Sequence, residues 1–206
     1  MIARIRGILP TVERHPPWDD SYRRGTPPWD AGGPRAAVLR LCEQGAFAGP
    51  VLDAGCGAGE DALEIASRGI EILGVDVATT AIRQAQEKAA ERGSAATFAV
   101  ADARHLERLG RTFRTVLDCG LFHTFEDDER ATYVESLAAV TEPGSVLHLL
   151  CVSDAATGEM GPTRRVHRDE LPAAFATGWN VVSIQPDRVE TTFGDLPAWC
   201  AWIERT

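Results

Sequence analysis

The sequence carries no basic surplus: 30 Asp and Glu stand against 21 Lys and Arg, for a formal charge of −9. Such a chain gains little long-range attraction to phosphate backbones or anionic lipids. Neither a nucleic acid nor a membrane is therefore expected as a partner. Arginines do cluster, at Arg104, Arg108, Arg111 and Arg114 and again at Arg164, Arg165 and Arg168. Both groups read as solvated faces. The cysteines (Cys42, Cys56, Cys119, Cys151 and Cys200) contain no C-x-x-C pair, and the histidines are as scattered. That spacing argues against a zinc site or a disulfide framework, and no metal is expected. Cys119 and Cys151 read as small core residues rather than nucleophiles. Arg4 and Arg6 interrupt the apolar start of the chain, and no stretch of roughly 18 apolar residues occurs. A reducing cytoplasm is the simplest location.

What is present is an alternation of strand-like and helix-like segments. The chain has 206 residues, 44% of them hydrophobic, enough for one sizeable core, so residues 1–206 are expected to form a single domain. Short apolar runs predict strands at Val51–Asp53, Glu71–Val75, Ala96–Val100, Thr115–Cys119, Ser145–Val152, Val181–Pro186 and Ala198–Glu204. Helical spacing predicts helices at Arg35–Phe47, Glu60–Arg68, Thr79–Arg92, Glu126–Thr141 (stopped by Pro143-Gly144) and Arg168–Thr177. Repeated βα units predict an α/β fold, a Rossmann-like, seven-stranded, mostly parallel sheet with helices on both faces. In such sheets a ligand sits outside the carboxyl ends of the strands. Residues 1–34 differ. Pro16-Pro17-Trp18-Asp19 and Pro27-Pro28-Trp29-Asp30 forbid a long helix, so this segment is expected to be a loop-like lid arm.

The strongest motif follows the first strand: Asp53-Ala54-Gly55-Cys56-Gly57-Ala58-Gly59-Glu60. Glycines let the backbone turn tightly and let a ligand approach without a Cβ in the way. A dinucleotide fingerprint needs a further glycine where Glu60 stands, and a glutamate there would repel a pyrophosphate. The pattern suits a ligand without phosphates that carries a cationic amino group. It resembles the first motif of class I S-adenosylmethionine (SAM)-dependent methyltransferases. The resemblance implies SAM as cofactor, S-adenosyl-L-homocysteine as product, and a loop, Gly55 and Gly57 included, that passes the methionine part. It also implies that Asp53 holds the ammonium end. The alternative for Asp53 is a cap on the amides of its own loop.

Asp76 ends the second strand 23 residues after Asp53, where a carboxylate accepts hydrogen bonds from ribose hydroxyls. The resemblance extends to Val77 beside it. It also covers Asp102-Ala103 at the third strand end, where the carboxylate takes the adenine amino group and the next backbone N–H meets the ring. It covers Asp118 as well, which faces the cofactor at the fourth strand end. The arm, with Trp18 and Trp29 11 residues apart and Tyr22 between them, looks like that of the thiopurine, thiol and halide methyltransferase-like branch. Trp18 and Trp29 would then help bind SAM and Tyr22 would approach the acceptor, aromatic faces being attractive to a sulfonium cation. The rings also fit a simpler role, packing the arm onto the core.

The implied activity is methyl transfer to a small molecule, an aromatic or heteroaromatic O, N or S nucleophile. His123 is the candidate catalytic base, with an unperturbed pKa near 6.5; its alternative is a structural histidine bonded to the backbone. Phe122, the arm around Tyr22 and residues 154–167, with the small-residue run Ala155–Pro162, are expected to build the acceptor pocket. Competing readings are a nicotinamide-dependent oxidoreductase, which the absence of a Tyr-x-x-x-Lys pair disfavours, and a SAM-binding module that transfers nothing. Oligomeric state stays open.

Overall fold

The computed structural model describes residues 18–158 and 163–206. The strands are β1 (Val51–Ala54), β2 (Ile72–Asp76), β3 (Thr97–Val100), β4 (Phe113–Cys119), β5 (Thr141–Val152), β6 (Trp179–Val189) and β7 (Leu196–Arg205). They form one sheet in the order β3-β2-β1-β4-β5-β7-β6. Strands β1 to β5 pair in parallel, and β7 runs antiparallel to both β5 and β6.

Adjacent residues on the strands point to opposite faces, and each face has its own core. Leu52, Val75, Val116 and Leu149 belong to one cluster, with α5 (Asp127–Ala139) and α6 (Glu170–Ala174) over it. Val51, Ile72 and Leu117 belong to the other, under α2 (Ala36–Glu43), α3 (Glu60–Ser67) and α4 (Thr79–Arg92). Burial on both sides explains why β1 reads as apolar at every position but Asp53. The chain leaves β1 toward β2 and β3, then returns to β4 on the other side of β1. The ends of β1 and β4 therefore flank the switch point where such sheets bind ligands.

Three expectations need correction. The arm is not all loop: Trp18–Arg24 is a helix, α1. No proline falls between Pro17 and Pro27, and Asp19 and Asp20 at its start and Arg23 and Arg24 at its end suit the helix dipole; residues 1–17 lie outside the described part. Pro143-Gly144 does not precede β5 but lies within it. The β4–β5 register jumps between Phe113 and Thr115, from Thr141 to Val146, and the surplus residues bulge there with Gly144 at φ 89°. The sixth helix is only Glu170–Ala174, and β6 extends to Val189 through Pro186, a residue tolerated because β6 is an edge strand.

Candidate active site

A cavity of about 560 Å³ opens over the carboxyl ends of β1, β2, β3 and β4. Its floor is the loop Gly55–Glu60 with Asp53, Asp76, Val77, Asp102 and Ala103. Gly57 has φ 52°. A Cβ there would stand 2.6 Å from the Tyr22 hydroxyl, so only glycine lets the arm close onto the loop.

Asp53 is 1% exposed, and its Oδ2 has no hydrogen-bond partner among the described residues. It does not cap its own loop. Burial, and then the charges of Asp61, Asp118 and Asp76, push its pKa well above the usual carboxylate range. A lone buried carboxylate is costly until a cation meets it. Asp76 lies on the same sheet face. Its Oδ2 accepts from the Gly57 N–H at 2.9 Å and its Oδ1 from the Ala78 N–H at 2.8 Å. Asp102 accepts from the Arg104 backbone at 2.9 Å and pairs with the Arg104 guanidinium at 2.7 Å. Burial alone would raise its pKa, but Arg104 outweighs that and holds it low.

The arm forms the roof. Trp18 and Trp29 meet edge to face, centroids 5.2 Å apart, and the Trp29 indole N–H donates to the Tyr22 hydroxyl at 3.0 Å. The Asp19 carboxylate accepts from the Thr80 N–H at the start of α4, 2.7 Å away. Arg35 ties the arm to both neighbours. Its guanidinium donates to the carbonyls of Trp29 and Glu190, while its backbone N–H donates to Asp61 at 2.7 Å.

Two expected site residues turn away. Asp118 does not line the cavity. Strand alternation aims it at the α5 face, where it accepts from the Leu121 and Phe122 N–H groups at 2.8 Å and 3.1 Å and from the Tyr133 hydroxyl at 2.9 Å. Burial raises its pKa to about 6. It organises the turn that carries His123 rather than meeting a ligand. Phe122 is likewise fully buried, between Phe175 (centroids 6.0 Å apart) and the Arg130 guanidinium (4.5 Å). The same turn points His123 the other way, to the cavity wall. Burial first, then Arg130 and Arg35, push the His123 pKa down to about 4.

Sequence reasoning missed the far wall. Val189 at the end of β6, Thr191 and Phe193 in the turn that follows, and Leu196 at the start of β7 line the cavity mouth, with Phe193 61% exposed. The Thr192 N–H donates to the Pro28 carbonyl at 2.9 Å, joining this turn to the arm. Of the described residues between 154 and 167 only Thr163 lines the cavity; residues 159–162 of the expected lid loop lie outside the described residues.

A family model described as a methyltransferase domain matches residues 51–144. The chain is 38% identical over 165 residues to 2-heptyl-1-hydroxyquinolin-4(1H)-one methyltransferase of Mycobacteroides abscessus, covering 79% of this chain and 73% of that protein. The chain belongs to the class I SAM-dependent methyltransferases. The methyltransferase is also 26% identical over 171 residues to probable thiol methyltransferase 2 of Arabidopsis thaliana, covering 81% and 75% of the two chains. A structure solved in work on the conversion of a disulfide bond into a thioacetal group during echinomycin biosynthesis superposes with a TM-score of 0.84. It is 36% identical and covers 91% of the methyltransferase and 90% of that chain. Membership rules out the nicotinamide reading. Glu60, where the dinucleotide fingerprint needs glycine, instead pairs with Lys88 and Arg92, each at 2.8 Å.

Proposed function

We propose that the methyltransferase transfers the methyl group of SAM to a small aromatic or heteroaromatic acceptor through an O, N or S nucleophile. The observation that carries this reading is the orphaned carboxylate of Asp53, buried in a polar floor beneath the Trp18–Tyr22–Trp29 roof. The names of the relatives, a hydroxyquinolinone methyltransferase and a probable thiol methyltransferase, support the acceptor class.

When bound, SAM supplies a methyl group made electrophilic by its sulfonium. Asp53 pairs with the ammonium end of that cofactor, replacing the interaction it lacks in the protein. Gly55 and Gly57 leave room for the methionine part. Asp76, already oriented by two backbone N–H groups, receives the ribose hydroxyls. Val77, Asp102 and Ala103 flank the adenine, with Asp102 steadied by Arg104. Trp18, Tyr22 and Trp29 exclude water, and their ring faces favour the cation. Much of the acceleration then comes from holding acceptor and methyl in line.

The test is transfer of label from methyl-labelled SAM to a panel of thiols, iodide, phenols, hydroxyquinolines and N-heterocycles, read by mass spectrometry. Labelled aromatic O-, N- or S-methyl product is expected. Cofactor binding with no labelled product from any aromatic member overturns the acceptor class. Absence of cofactor binding overturns the assignment of the floor.

A further inference from the structure

The turn after β4 places one histidine in the acceptor half of the cavity, and its surroundings decide which way its proton points. The ladder between β4 and β5 ends where the chain leaves the sheet, with the Gly120 N–H on the Leu150 carbonyl at 2.9 Å. The next N–H along β5, that of Val152, donates instead to His123 Nδ1 at 3.4 Å. A backbone N–H only donates, so Nδ1 offers its lone pair and the proton of the neutral ring sits on Nε2. That bond occupies Nδ1, and the ring lines the cavity. The charged groups that act on it are Arg130 from α5, which pairs with Glu170 at 2.6 Å, and Arg35 at the start of α2, both cationic. Among the carboxylates that line the cavity, Asp53 and Asp76 belong to the proposed cofactor floor, Asp102 and Glu129 both pair with Arg104, Glu60 pairs with Lys88 and Arg92, and Asp61 and Asp30 accept from the Arg35 and Gly32 N–H groups; Asp118 is spent on the turn itself.

We infer that His123 receives the acceptor as a hydrogen-bond donor through Nε2–H rather than as its base, and that the acceptor is an aromatic acid that docks already ionised. This rests on the acceptor class proposed above. A second lone pair is not available to take a proton, and the Arg35 guanidinium, which lines the cavity, opposes an imidazolium while favouring an anion. Phenolates, thiolates and deprotonated N-hydroxy heterocycles fit. Aliphatic alcohols do not, since nothing here removes their proton. In the transfer itself the anion's lone pair forms the bond to the methyl carbon while the carbon–sulfur pair returns to sulfur. The acceptor's proton has gone to solvent beforehand, and anion and cation become two neutral products.

The experiment uses a series of aromatic acceptors whose own pKa values span the assay range, with wild type, His123→Gln and His123→Leu. Retained cofactor binding certifies the fold of each variant. Glutamine keeps an N–H donor but no base. The kcat/KM of wild type is expected to rise with pH along a limb that tracks each acceptor's pKa. His123→Gln should stay within a few-fold of wild type, and His123→Leu should lose roughly ten- to a hundredfold, mostly in KM. The absorbance of a bound acceptor, with S-adenosyl-L-homocysteine in the cofactor site, should show the anion at a lower pH than in water, and less so in His123→Leu. A limb that stays at one pH across the series and vanishes in His123→Gln would make His123 the base and overturn the inference. Equal activity in all three proteins would make the ring structural and overturn it too. If the panel yields no methylated aromatic although cofactor binds, the acceptor class itself fails, a result distinct from any difference between variants.

Discussion

The Tyr22 hydroxyl lies 2.6 Å from the point a Cβ on Gly57 would occupy. Two segments 35 positions apart in the chain are thus fitted to each other at the width of a missing side chain, and that contact closes the half of the cavity proposed for the cofactor.

Gly57→Ala should therefore push the arm open and strain a backbone at φ 52°. SAM affinity is expected to fall by roughly tenfold or more, read by calorimetry. Tryptophan fluorescence should report Trp18 and Trp29 in wetter surroundings. Unchanged affinity would mean that the Tyr22 contact does not seal the site.

Asp53→Asn removes a carboxylate that has no protein partner for its Oδ2. Cofactor affinity should fall by roughly a hundredfold, the usual loss when one partner of a buried charge pair is removed. The melting temperature without cofactor should not fall, because the lost charge was costly to bury. Its pKa is raised in the fold. Its contribution to stability is therefore complete below the unfolded pKa and lost as pH rises through the folded one. Cofactor affinity changes oppositely, strengthening with pH as the carboxylate ionises.

Arg35→Ala cuts the tie from α2 to the carbonyls of Trp29 and Glu190. Faster tryptic cleavage at Arg23 and Arg24 is expected, with several-fold weaker SAM binding. Cleavage at the wild-type rate would show that the Asp19–Thr80 and Thr192–Pro28 bonds hold the arm without it.

Phe193→Ala strips the exposed ring from the cavity mouth. The KM for an aromatic acceptor should rise roughly five- to tenfold through lost apolar contact, with cofactor affinity unchanged. An effect on cofactor alone would move this residue out of the acceptor site.

His123 titrates near 4 in the fold, below its ordinary 6.5. Between those values the unfolded chain binds the extra proton, so stability rises with pH across that window. Denaturant curves should show the advantage of wild type over His123→Gln growing by up to about 3 kcal/mol from pH 4 to pH 6.5, at 1.36 kcal/mol per pKa unit.

The cavity floor proposed for the cofactor was legible because its parts follow one another at strand ends: Asp53 and the glycines, then Asp76, then Asp102. Each carboxylate is announced by the apolar run before it. The acceptor half was not. Thr191 and Phe193 belong to a turn between two late strands, and nothing local marks such a turn as a wall. Asp118 and Phe122 misled for the same reason: both stand beside a strand end, yet pleat and turn geometry aim them at the core.

The sequence by itself determined the fold class and the polar floor, since hydrophobic periodicity and glycine placement are local properties of the chain. The tertiary structure alone decided which neighbours of His123 set its tautomer, that α1 roofs the loop around Gly57, and that the β6–β7 turn meets the arm. Those relations join residues far apart in the chain, and only packing the sheet and closing the arm over it bring them within contact distance.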